Sequence, residues 1–179
     1  VQGFFKKPLD PLYAEPLLAE YVRRIGIVND DLVVVSPDAG SAKRARSFAD
    51  EIGRPVAIGD KMRYGHDENA KGLEIIGDVA GKNCLVVDDF TISGGTLVDV
   101  ARGLKEKGAK DVYCALSHNV LTEKGVQRIE ESPISWLVST DTLECPFAGK
   151  STKIRTVSAA PMFAQAVKII HDRAPMSTM

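Results

Sequence analysis

Two adjacent carboxylates, Asp88 and Asp89, follow an apolar run in the stretch "CLVVDDFTISGGTL" at positions 84–97. Ser93, Gly94, Gly95 and Thr96 come soon after, and an apolar-periodic segment starts at Leu97. Acids at the tip of a buried strand, a Gly-rich turn and a helix start together suit a phosphorylated ligand. The first N–H groups of a helix lack intrahelical partners and carry the positive end of its dipole, so they attract phosphate. The glycines let a ligand approach the backbone closely, and Ser93 and Thr96 add hydroxyl donors. The carboxylates suit the hydroxyls of an attached sugar, or a magnesium ion, which prefers hard oxygen ligands. An Asp-rich turn with Ser93 capping a helix is the plainer alternative. The tandem acids, at this spacing from Gly-Gly-Thr, weigh against it.

The elements around this stretch alternate. Strand-like runs fall at 32–36, 54–59, 73–79, 83–88, 111–118, 135–139 and 153–158. Helical periodicity appears at 41–53, with Ala42, Ala45, Phe48, Ala49 and Ile52 on one stripe and Gly53 as a stop. It recurs at 95–109, ending at Gly108, at 122–132 with Thr122 as N-cap, and at 159–174 with Pro161 in the first turn. An earlier helix spans 12–25, interrupted by Pro16 near its start. The polar segment "DKMRYGHDENAKG" (60–72) reads as a long exposed loop, and loops of that length are often functional. Apolar strands alternating with helices predict an α/β fold, a mostly parallel sheet flanked by helices. Ligands bind such sheets at the carboxyl ends of their strands. This is where Asp88 and Asp89 are expected.

Composition narrows the function classes. The 179 residues suit one domain, 1–179, with a linker-like start over 1–11. A first residue of Val rather than Met leads to the expectation that upstream sequence has been removed or is absent. The net charge of -1 carries no basic footprint of a nucleic-acid binder. No apolar run approaches the ~20 residues of a membrane span, and no signal peptide is visible. Cys84, Cys114 and Cys145 are too far apart for a metal site and read as buried free thiols of a reducing cytoplasm.

The stretch at 84–97 resembles the ribose-phosphate-binding loop of the type I phosphoribosyltransferase fold. The likeness extends through "GFFKKPLDPLYAEP" (3–16), "VVVSPDAGSAKRARSFADEIGRPVAIGDKMR" (33–63) and "GAKDVYCALSHNVLTEKGVQRI" (108–129). Over nearly the whole chain it is similar to the carboxyl-terminal half of the ribose-phosphate diphosphokinases, the PRPP synthetases. Such enzymes have two similar domains, and the amino-terminal half, which supplies most of the ATP site, has no counterpart in this sequence.

The resemblance implies transfer of a diphosphoryl group from ATP to ribose 5-phosphate, with Mg2+ as cofactor, giving PRPP and AMP. It implies that Asp88, Asp89, Ile92, Ser93, Gly94, Gly95 and Thr96 bind ribose 5-phosphate. Lys61 and Arg63 match the cations of a mobile catalytic loop, and Asp38, in "SPDAG", matches an aspartate associated with magnesium. A cytoplasmic homo-oligomer, hexameric by family resemblance, is expected. Lys43, Arg44 and Arg46 sit at a helix start, where cations oppose the dipole, which points to an anionic neighbour. Ser117-His118 corresponds to a family Thr-His pair, without an assigned role. Trp136 reads as core. Ile92 departs from the family, which commonly has an acid there, and Met62 stands where Arg is common. Two alternatives follow: a phosphoribosyltransferase that uses PRPP with a nucleobase, or a non-catalytic regulatory subunit associated with active synthetases.

Overall fold

A computed structural model of the chain describes residues 2–7, 9–63 and 71–176. Seven strands form one sheet in the order β3-β2-β1-β4-β5-β6-β7. They are β1 (Leu32–Ser36), β2 (Val56–Arg63), β3 (Lys71–Ile76), β4 (Asn83–Thr91), β5 (Val112–Asn119), β6 (Ile134–Thr140) and β7 (Ile154–Val157). All neighbours pair in parallel except β2 and β3, which are antiparallel. The helices are α1 (Glu15–Arg24), α2 (Ala42–Ile52), α3 (Gly95–Glu106), α4 (Glu123–Glu130) and α5 (Ala160–His171).

The apolar runs read from the sequence become central strands because both faces of the sheet are covered. Alternate residues of β1 serve opposite cores: Val33 and Val35 belong to one core with Leu97, Val98, Ala101 and Leu104 of α3 and Val126 and Ile129 of α4. Leu32 and Val34 pack with Leu18 and Val22 of α1 and Phe48 and Ala49 of α2. Trp136 is core as expected, buried with its ring stacked on Tyr113 at 4.6 Å. Cys84 and Cys114 are buried free thiols, and Cys145 is half-buried. Burial pushes the Cys84 thiol up to about 11, so it packs as a small apolar group. Gly53 ends α2 in the left-handed conformation (φ 67°), and Thr122 caps α4 by accepting from Gly125 N.

Four expectations are corrected. Helix α1 starts at Glu15, and Pro16 lies in its first turn, where its missing N–H costs nothing, so the helix begins there rather than being interrupted. The last strand starts at Ile154 and ends at Val157. The segment 60–72 is not all loop: residues 60–63 continue β2 and 71–72 open β3, paired from Ile58↔Ile76 to Arg63↔Lys71. Backbone hydrogen bonding between antiparallel strands extends them without needing apolar side chains, so periodicity missed this hairpin. Residues 64–70, including His66, lie outside the described residues. Finally, β4 does not stop at Asp88. It runs to Thr91 because β5 runs beside it to Asn119.

Helix α3 carries the Gly-rich turn, and Leu104 anchors it with no exposed surface. Leu104→Ala is expected to lower unfolding stability by about 2–5 kcal/mol, measured as the shift in urea midpoint at unchanged slope.

Candidate functional site

The position of the acids follows from unequal strand lengths. Pairing of β1 with β4 ends at Val35↔Val86, whereas pairing of β4 with β5 continues through Asp88↔Leu116 and Phe90↔His118 to Thr91↔Asn119. Asp88 and Asp89 therefore lie beyond the end of β1, supported on one side and open on the other. The sheet order reverses direction at this point, since β2 lies beyond β1 and β5 beyond β4. That is the crevice in which open α/β sheets bind ligands. The acids are thus inside a strand rather than at its tip, and the crevice position holds.

Arg44, in the first turn of α2, spans both carboxylates. Its Nη1 donates to Asp88 Oδ1 and its Nη2 to Asp89 Oδ2, each at 2.9 Å. A cation at a helix start opposes the dipole; here two acids offset it, so the anionic neighbour hinted at by the sequence is the diacid itself. Asp88 also accepts from Asp89 N, and Asp89 from Phe90 N. Burial, reinforced by the adjacent Asp89, pushes the Asp88 carboxyl up to about 6, against the pull of Arg44. The diacid is held in place at a cost to its ionisation.

The turn after β4 has its carbonyls taken up by α4 and the residue that caps it. Ile92 O accepts from Thr122 N at 3.1 Å, and Ser93 O accepts from Arg128 Nη1 at 2.9 Å. Both acceptors therefore point at α4. That helix comes close because position 125 is glycine: a Cβ there would lie 2.8 Å from Leu121 Cδ2 and 3.0 Å from Ile92 O. Gly94 is the N-cap of α3 in the left-handed conformation, φ 69°, and a Cβ on it would press on Ile129 Cδ1 at 3.1 Å. Its N–H meets Thr91 Oγ1, and the Gly95 N–H meets Ser93 Oγ at 3.3 Å. Ser93 thus braces the turn from within rather than capping α3. Thr96 and Ile92 are exposed.

The remaining expected residues are spread around this crevice. Asp38 lies in the turn after β1, where its Oδ1 accepts from both N and Oγ of Ser41 at the start of α2. Lys61 and Arg63 are in β2, opposite Leu73 and Lys71; their side chains are outside the described residues. His118, on β5, shares a 2.7 Å hydrogen bond between Nδ1 and Thr142 Oγ1, which in turn meets Thr140 Oγ1. Among the described residues no group of three or more His, Cys, Asp or Glu converges as a metal cage. Gly125 and Arg128 were missed by sequence reading. The signal was a glycine three residues after a good N-cap, in a helix too short to spare one without reason.

The family model described as the phosphoribosyl synthetase-associated domain matches residues 64–179. The chain belongs to this family. It is 44% identical over 179 residues to a ribose-phosphate pyrophosphokinase 2 of Enterococcus faecalis, covering 100% of this chain and 55% of that one. A phosphoribosylpyrophosphate synthetase from Mycobacterium smegmatis superposes with a TM-score of 0.84 at 34% identity, over 97% of this chain and 55% of that one. An orotate phosphoribosyltransferase from Aeropyrum pernix matches at a TM-score of 0.50 and 15% identity, over 87% and 75% of the two chains, which shows a shared fold. The expected phosphoribosyltransferase-like α/β fold is borne out, as is the resemblance to PRPP synthetases. The chain spans about half the length of the synthetases it matches.

The raised Asp88 carboxyl has a consequence for stability. Its native value of about 6 exceeds the ordinary 3.8, so the native state binds more protons between these values. Stability from this group is full below about pH 4 and is lost as pH rises through about 6. Asp88→Asn removes the desolvated charge, and is expected to raise stability at pH 7 by about 1–2 kcal/mol and to flatten the pH 4–6 dependence. Thermal melts of both proteins across that range check this.

Proposed function

We propose that the chain is the ribose 5-phosphate-binding part of a ribose-phosphate diphosphokinase. The observation that carries this reading is the pairing, within one crevice, of a diacid beyond the end of β1 with a Gly-rich turn that opens α3 and has its Ile92 and Ser93 carbonyls turned toward α4. One end suits sugar hydroxyls and the other a phosphate.

In this reading the turn at 92–96 and the first N–H groups of α3 hold the 5-phosphate, with Ser93, Gly94, Gly95 and Thr96 closest to it. Asp88 and Asp89 accept from ribose hydroxyls and so orient the anomeric oxygen. The attack of that oxygen on the β-phosphorus of ATP breaks the bond to the α-phosphate and yields PRPP and AMP. Phosphoryl-type transfer is mostly positioning and charge neutralisation. Lys61 and Arg63 would face the transferring phosphates and stabilise the charge that develops there. A magnesium ion, when bound, would supply further neutralisation. The donors fit it in shared form: Asp38 is a hard oxygen ligand, and magnesium commonly takes one or two carboxylates plus substrate phosphates and waters. ATP contacts beyond these residues would come from sequence corresponding to the other half of the relatives. The working form would be a cytoplasmic homo-oligomer; among the described residues no helix is long and apolar enough to cross a membrane.

One observation favours a second reading, a regulatory subunit of an active synthetase. Ile92 is 54% exposed at the position where the resembled loop commonly has an acid.

Phosphorus NMR of the purified protein with ribose 5-phosphate, ATP and magnesium tests the proposal. Appearance of PRPP and AMP supports the diphosphokinase reading. A shifted or broadened ribose 5-phosphate resonance without products supports the binding role alone. No change in either overturns both. In the PRPP-forming assembly, the double variant Lys61→Ala/Arg63→Ala is expected to lose about 10²–10³-fold in turnover while still binding ribose 5-phosphate. Undiminished flux would favour the regulatory reading.

A further inference from the structure

Arg128, on α4, sits against the turn. Its Nη1 donates to Ser93 O at 2.9 Å and lies 3.3 Å from where a Cβ on Gly95 would stand. It is therefore beside the first residue of α3. A cation at that end is repelled by the dipole, and only the Ser93 carbonyl offsets the repulsion within the described residues. Among the described residues no ion pair forms there. The acids of its own helix region are engaged elsewhere: Glu123 by Lys150, Glu130 by Ser151 and Thr152, and Glu131 by Gln127. A guanidinium has five N–H donors in a fixed fork, so one bond to Ser93 leaves others to be met by solvent or by an anion.

We propose that Arg128 is a further residue of the phosphate end of the crevice, with two linked actions. It keeps the Ser93 carbonyl turned toward α4, so that no acceptor faces the phosphate. It also brings a positive charge beside Gly95 at the start of α3, where the proposed 5-phosphate site lies. A charge-assisted bond of this kind is stronger than the neutral N–H contacts around it. The inference rests on the ribose 5-phosphate reading and extends it to a residue on a different element, α4.

The test is calorimetric titration of the intact protein with ribose 5-phosphate and, separately, inorganic phosphate, each at low and high salt. Arg128→Ala is expected to weaken both ligands about tenfold and to reduce the loss of affinity with salt, with little change in melting temperature because the side chain is exposed. Arg128→Lys is expected to recover the salt dependence and part of the affinity, since it restores the charge without the fork. Wild-type protein that binds neither ligand removes the ribose 5-phosphate reading, and this inference with it. Wild-type binding with an unchanged Arg128→Ala affinity and salt slope overturns the role of Arg128 alone. A binding loss that accompanies a lowered melting temperature and is not recovered by Arg128→Lys also overturns it, by assigning Arg128 to the packing of α4.

Discussion

The site depends on a mismatch in strand length. β1 stops pairing with β4 at Val35↔Val86, while β4 and β5 remain paired as far as Thr91↔Asn119. Extending β1 by two or three residues would cover the edge of β4 where Asp88 and Asp89 stand. Shortening β5 would leave that edge unsupported. Instead the chain leaves β1 at Ser36, whose hydroxyl donates to Asp38 O, and Asp38 in turn binds Ser41 to launch α2. That turn brings Arg44 round to face the exposed acids. The early exit of β1 therefore creates the crevice and also supplies the cation that steadies it.

From this geometry follows a separation of charge along the crevice. At one end are carboxylates, partly neutralised by Arg44 from α2. At the other are backbone N–H groups at the start of α3, with the Ile92 and Ser93 carbonyls turned away and Arg128 of α4 alongside. Glycine governs how tightly the second end is assembled. Gly125 lets α4 lie against the turn, and Gly94 adopts a conformation that a side chain would strain while also clearing Ile129. Both requirements arise from packing between separate elements.

That distinction separates what was legible in the sequence from what was not. The strands of the sheet centre were legible because they are covered on both faces and read as unbroken apolar runs. The helices α2, α3 and α4 were legible from periodicity and from stops and caps such as Gly53 and Thr122. Asp88, Asp89 and the Gly-Gly-Thr turn were legible because local spacing alone places acids and a helix start together. The β2–β3 hairpin was not, since its extension rests on backbone pairing and its residues at 60–63 and 71–72 are largely polar. Arg44 was legible only as an oddity of charge at a helix start. Its partners lie 44 and 45 residues away, and spacing does not encode that contact. Arg128 and Gly125 lie still further from any local motif, and their relation to the turn comes from how α4 lies over α3.

The diacid also shows why such a crevice is maintained by its surroundings rather than by its own stability. Two carboxylates in sequence repel one another, and burial makes the charge on Asp88 costly. Among the described residues Arg44 is the only cation that pairs with either acid, and it is itself partly exposed, so the compensation is incomplete. The buried residues nearby, Val86 and Val87 on β4 and Ala115 and Leu116 on β5, provide the rigidity that the acids do not. A strand core of Val and Leu thus holds a charged polar edge in a position it would not keep alone. This also explains why the two acids stand within a central strand, and the turn just after it, rather than on the sheet's periphery.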